Sequence, residues 1–189
     1  GSSTRGRILR AAAARFRSQG YVETSVNQVM RDAGLTHGGF YAHFPSKEEL
    51  FVEAVRHATD ESGDWLESQI EGLEGAAWVE AWVDAYLSDA HCAHSESGCP
   101  IPSLMPEVAR AGSGACSAFA TGLERRLDRL RVRLPFDRAE AGRRAMSAYA
   151  HMAGALMLAR ALDSESSAEL RRDVARAVKE LLLGQRNGN

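Results

Sequence analysis

The stretch Thr36-His37-Gly38-Gly39-Phe40-Tyr41-Ala42-His43-Phe44 carries the densest chemistry in this sequence. Phe40 and Phe44 stand four apart, so one side of a helical turn takes both rings inward. Thr36, His37, Gly38, Tyr41 and His43 are left to face outward. Their hydroxyls, ring nitrogens and bare backbone are groups that hydrogen-bond phosphates or approach base edges. Two adjacent glycines cost roughly 1 kcal/mol each in a helix relative to alanine. Gly38-Gly39 makes sense if the backbone must come close to another surface, and a DNA backbone or base edge would serve. No Arg, Asn or Gln lies on this outward side, so bidentate base pairing is missing. Specificity would then rest on contacts to thymine methyls or on DNA shape.

A second cluster runs His91-Cys92-Ala93-His94-Ser95-Glu96-Ser97-Gly98-Cys99. Its spacings are not the paired form of a zinc site, so no metal and no cofactor are expected from His91, Cys92 and His94. Cys99 precedes Pro100 in an expected loop, where it is either a small packing residue or a thiol that His94 could activate. No Gly-rich phosphate loop, G-x-S-x-G or H-E-x-x-H appears, and His57 with Asp60 is ordinary helix-surface chemistry, so no enzyme is expected. Charge is divided unevenly. Up to Lys47 there are seven bases and two acids, and beyond it 16 bases and 23 acids. A basic first quarter on an acidic remainder suits contact with a polyanion, or else a solvated charged helix.

The elements that must position these groups are helical. Few prolines and β-branched runs, with many Ala, Leu, Arg and Glu, predict an all-α chain. Its 189 residues are enough for a core without staples, and three cysteines, an odd number, fit a reducing cytoplasm rather than a disulfide framework. No apolar run approaches the ~18 residues of a membrane span, and no secretory signal is visible. Gly1-Ser2-Ser3 reads as a trimmed start rather than structure. A first helix is expected over 5–19, stopped by Gly20. Ser25 and Gln28 have the spacing of a capping box for a second helix, which ends at Ala33-Gly34. A third helix covers 36–44 and stops at Pro45. Ser46, with Glu49, opens a fourth. Three short helices with a glycine-bearing turn make a helix-turn-helix, whose exposed third helix fits a major groove ~12 Å wide. Further helices are expected over 76–92, 103–111, 113–133, 138–162 and 167–183, the last capped by Ser166 with Glu169.

On Thr24-Ser25-Val26, Ala33-Gly34-Leu35 and the string Gly39-Phe40-Tyr41-Ala42-His43-Phe44-Pro45-Ser46-Lys47-Glu48-Glu49-Leu50, the sequence resembles the TetR (tetracycline-repressor-like) family of bacterial transcription regulators. The resemblance covers about residues 5–55. It implies a helix-turn-helix DNA-binding domain over 1–47 and a larger helical domain over 48–189 for effector binding and dimerisation. It also implies phosphate contacts from Thr24 or Ser25, Tyr41, His43 and Lys47, with Thr36, His37 and Gly38 facing the groove. The partners implied are an operator duplex, a small-molecule effector and a second copy of the chain, with no membrane.

In the body, Trp78, Trp82 and Tyr86 form one stripe, which reads as core first and as pocket wall second. With Trp65, Met105, Phe119 and Met152 they are the residues expected around an apolar or aromatic effector. The last two helices offer Ala145, Met146, Tyr149, Met152 and Met157, and Leu170, Val174 and Leu182, to a dimer face or to the internal core. Some regulators of the family sense oxidants or electrophiles through thiols, which gives Cys99 as the alternative to an effector.

Overall fold

A computed structural model describes residues 3–184. Gly1 and Ser2 lie outside the described residues. Among those described there are helices and loops and no strands, and no helix is long and apolar enough to cross a membrane. The helices are α1 (Thr4–Glu23), α2 (Val26–Asp32), a 3₁₀ helix η1 (His37–Ala42), α3 (Lys47–Ser68), α4 (Gly75–Tyr86), α5 (Asp89–Ala93), α6 (Ile101–Arg110), α7 (Ser113–Arg131), α8 (Arg138–Ala159) and α9 (Ser164–Leu183). The described residues divide into two compact units, one of 3–62 and 95–122, the other of 63–94 and 123–184.

The first unit closes over one apolar cluster. Ile8, Ala12 and Phe16 of α1 meet Val29 and Met30 of α2, Phe40 and Phe44, Leu50, Phe51 and Val55 of α3, and Leu104 and Val108 of α6. Arg17 is buried in this unit. Its guanidinium donates to Glu61 at 2.6 Å and to the Gly98 carbonyl at 3.2 Å. A charge without water needs such partners, so Arg17 ties α1 to α3 and to the segment before α6.

The second unit is built on the α8–α9 pair with α4 beside it. Trp82 and Tyr149 meet with ring centroids 5.2 Å apart. Lys179 pairs with Asp84 at 2.6 Å, and Arg171 donates to the Leu87 carbonyl at 2.8 Å.

Several boundaries differ from the sequence expectation. The helix expected over 76–92 breaks, because Ser88 leaves it to cap α5, accepting from the His91 amide at 3.2 Å. Serine competes for backbone groups better at an N-terminus than inside a helix. The third helix is a 3₁₀ turn rather than an α-helix. Asp163, not Ser166, caps α9, its carboxylate accepting from Glu165 and Ser166 amides at 3.1 and 3.0 Å. A full negative charge at the positive end of a helix outcompetes a hydroxyl.

His91 is buried between Trp65 and Tyr86, with centroids 5.3 and 4.8 Å away. Its Nδ1–H donates to the Tyr86 carbonyl at 2.5 Å. Burial pushes the imidazole down to about 4; the Tyr86 carbonyl opposes this, and Arg160 and Arg126 add to it. The unfolded chain binds the proton near pH 6.5 and the folded one only near 4, so stability is full above 6.5 and falls with pH between the two. The loss is on the order of 3 kcal/mol by pH 4. Urea melts at pH 7 and 4.5 should show this loss, and His91→Gln should flatten it; an unchanged slope in the variant refutes the assignment.

Candidate nucleic-acid interface

The outward turn is assembled by three local devices. Ser25 caps α2 in a reciprocal box, its Oγ accepting from the Gln28 amide at 3.2 Å while Gln28 Oε1 accepts from the Ser25 amide at 2.8 Å. At the other end Gly34 takes φ +69°, its amide donating to Arg31 O at 3.0 Å, and Leu35 donates to Met30 O at 2.8 Å. This positive φ reverses the chain where other residues would be strained. Phe40 and Phe44 then sink fully into the core, stacked at 5.9 Å. Arg5 lies 4.7 Å over the Phe44 ring and is ion-paired with Glu53. Arg15 holds Asp32, with Nη2 to Oδ1 at 3.1 Å, and so fixes α2 against α1.

With those rings inside, Thr36, His37, Gly38 and Tyr41 are exposed, Tyr41 at 66%. His37 and Tyr41 stand edge to face, 6.2 Å apart. His43 is half-buried, its amide donating to the Phe40 carbonyl at 2.9 Å. A Cβ added at Gly38 would meet nothing within 4 Å, and its φ is not positive. Neither packing nor backbone conformation of this chain calls for glycine there. Thr24 differs from the other expected contacts. It is 1% exposed and its hydroxyl donates to the Gly20 carbonyl at 2.7 Å, which leaves Ser25 as the exposed hydroxyl of the pair.

Tyr21, which lies between the two helices expected over 5–19 and from Ser25, is a junction. Its ring lies 4.2 Å beneath the Lys47 ammonium, and its hydroxyl donates to Glu48 at 2.9 Å. Burial first, then that bond to Glu48, pushes the phenol up to about 12. Its amide donates to both oxygens of Glu107 at 2.7 Å. Beside it Gly20 interrupts α1 at φ 82°, ψ 171°, and a Cβ there would stand 2.7 Å from Glu107 Oε1. Eighty-six positions separate Tyr21 from Glu107. No local signal joins residues so far apart.

The seven residues expected around an effector do not line one space. Trp78, Trp82 and Tyr86 are buried, the two indoles stacked at 6.1 Å, and the gap that Trp78, Trp82 and Tyr149 share is only about 10 Å³. That holds a single water at most. Met152 is buried and Trp65 half-buried in the same unit, whereas Met105 and Phe119 pack against the core of the other. Cys99 is fully buried, and the exposed thiol is Cys116 on α7. Among the described residues no three His, Cys, Asp or Glu side chains gather to hold a metal ion. On α8 the expected dimer face divides: Ala145, Tyr149 and Met152 turn inward, while Met146 and Met157 are exposed. Gly154 stands between them on the open side, with nothing within 4 Å of an added Cβ.

Comparison with known proteins agrees with this geometry. Residues 8–54 match the family model for bacterial regulatory proteins of the tetR family. The transcriptional regulator LmrA of Bacillus subtilis is 31% identical over 110 residues, 56% of this chain and 57% of its own. The transcriptional repressor KstR2 of Rhodococcus jostii is 33% identical over 95 residues, 50% of this chain and 47% of its own. The match thus spans about half the length of these relatives. Among solved structures, a TetR transcriptional regulator from Chloroflexus aurantiacus superposes with a TM-score of 0.79 at 24% identity, covering 96% of this chain and 95% of that one. Reduced NemR of E. coli gives 0.80 at 19% identity, covering 97% and 98%. These two share the fold.

Two positive-φ glycines of this unit, Gly20 and Gly34, should respond differently to alanine. Gly34→Ala meets open space and should cost about 1–2 kcal/mol for the left-handed backbone alone. Gly20→Ala occupies a region open essentially to glycine only and also displaces Glu107 from Tyr21, so it should cost about 2–4 kcal/mol. Equal midpoints of the two variants in urea melts would show that the Glu107 contact contributes nothing.

Proposed function

Because this chain belongs to the tetR family of bacterial regulatory proteins, we propose that it is a homodimeric DNA-binding transcriptional repressor, released from its operator by a small apolar or aromatic effector. Residues 1–47 are the reading segment and 48–189 the effector-binding and dimerising segment. The observation that carries this reading is Gly38, a glycine that the chain itself does not require, on a turn whose apolar side is sealed and whose polar side is open. A duplex pressed against that turn supplies the missing reason, since a side chain there would hold the backbone off the groove. Ser25, Tyr41, His43 and Lys47 supply phosphate contacts, and Thr36, His37 and Gly38 face the base edges. Thr24 acts through the backbone turn that it ties to Gly20.

A two-fold dimer places two such turns about 34–36 Å apart, one helical repeat of DNA. The exposed Met146 and Met157, with open Gly154 between, support α8 as the face that meets the second copy. An effector need only prefer the state that misfits the operator by ~1–3 kcal/mol to change occupancy usefully.

Two measurements test the reading. Against a duplex selected by the chain from a random-sequence pool, Lys47→Ala should weaken selected and unrelated DNA alike and reduce the log–log salt slope by about 1. His37→Ala should change sequence preference, and Gly38→Val should lose at least about tenfold in affinity, 1.4 kcal/mol, with an unchanged melting temperature. Wild-type binding by Gly38→Val removes the central support. For the dimer, Met157→Glu should shift sedimentation from two chains to one without unfolding either; a persistent dimer would move the interface elsewhere.

A further inference from the structure

The aromatic stripe of the body is filled, but the first unit contains a cavity of about 390 Å³ that the sequence does not announce. It opens to solvent and is walled by Tyr21 and Val22 at the end of α1, by Phe51 and Val52 on α3, and by the end of α6 along its rim. Its size falls in the range of small-molecule sites, which combine apolar walls with a few polar groups. We propose that this cavity binds a small aromatic amine in its protonated form and that such a compound is the effector, an assignment that rests on the regulatory reading above.

The charge of the ligand follows from the lining. Two carboxylates border the cavity, Glu48 and Glu107, against one guanidinium, Arg110. Glu48 and Glu107 are held in place by Tyr21, through its hydroxyl and its amide respectively. Each carboxylate has about four acceptor sites, so both retain capacity for a further donor. Arg110 and Glu48 are both exposed, where water screens their charges, which leaves the half-buried Glu107 as the charge the cavity itself holds. An acid entering here would face the like charge of Glu107, while an ammonium meets it as an acceptor beside the Tyr21 ring. The Tyr21 ring already demonstrates that affinity, with the Lys47 ammonium 4.2 Å from its centre. The half-buried Tyr21 ring, backed by the buried Phe51 ring 4.9 Å away, gives an aromatic skeleton an apolar wall together with Val22 and Val52. An ammonium bound at Glu107 shares that carboxylate with the Tyr21 amide. Ligand occupancy is therefore linked to the backbone turn that leads through Thr24 and Ser25 into α2.

The experiment uses the isotopically labelled full chain and three probes of one skeleton, phenethylamine, 2-phenylethanol and phenylacetate, at pH 7. Phenethylamine should bind at least tenfold tighter than phenylacetate and tighter than the alcohol, with the largest amide shifts at Tyr21, Val22 and Val52. Ala111→Trp, at an exposed position on the rim, should fill the mouth and weaken the amine at least tenfold. Glu107→Gln keeps an acceptor for the Tyr21 amide and should erase the preference for amine over alcohol. Melting curves of both variants establish that they fold. Phenylacetate binding as tightly as the amine, shifts centred on Trp78 rather than Tyr21, or undiminished binding to Ala111→Trp would overturn the site. Anisotropy of the selected duplex without any probe tests the regulatory reading separately: DNA binding with no amine binding sinks only this site, and amine binding with no DNA binding sinks only that reading. Amine that binds as expected but leaves the DNA affinity unchanged overturns its role as effector.

Discussion

Two phenylalanine rings sunk side by side into the first unit decide what the rest of that unit can present. A 3₁₀ turn of six residues has little internal cohesion, so its orientation is set by whichever side chains it can bury. Phe40 and Phe44 leave no water on either ring, and the cluster that receives them draws on α1, α2, α3 and α6 together. Full burial of rings this size contributes about 1.5–3 kcal/mol each, more than any rotation of the turn could recover. With that side fixed, Thr36, His37, Gly38 and Tyr41 have only the outside left.

The same unit concentrates its long-range polar contacts on a few backbone-anchored groups. Tyr21 gives its amide to Glu107, its hydroxyl to Glu48 and its ring to Lys47. Gly20 makes the approach of Glu107 possible, and Thr24 returns to Gly20 through its hydroxyl. Five consecutive positions thus connect α6, α3 and the cap of α2. A change at any of these contacts alters the entry into the helix-turn-helix without touching its exposed residues.

The second unit follows a different economy. Its aromatic residues pack on one another, Trp78 on Trp82 and Trp82 on Tyr149, and leave almost no space between. Its buried histidine is kept neutral by the same lack of water. Arg133 lies over the Trp78 ring at 4.2 Å, and the two border an open space of about 400 Å³ with Ile70 and Leu73 at the edge of the stripe.

The all-helical class, the caps at Ser25 and Ser46, the stops at Gly20 and Gly34 and the inward pair Phe40 and Phe44 were legible in the sequence, because each depends on residues within four positions of one another. Local competition already blurred the boundaries: Ser88 takes a cap inside the helix expected over 76–92, and the Asp163 carboxylate takes the α9 cap in place of Ser166. The burial of Thr24, the division of α8 between an inner and an outer face, and the filling of the Trp78 stripe belong to the tertiary structure. So does the meeting of Glu107 with Tyr21 around a cavity. Period and residue type tell which side of a helix is apolar, but not whether a neighbouring element will fill the space before it; that depends on contacts between residues far apart in the chain, whose geometry no short segment contains.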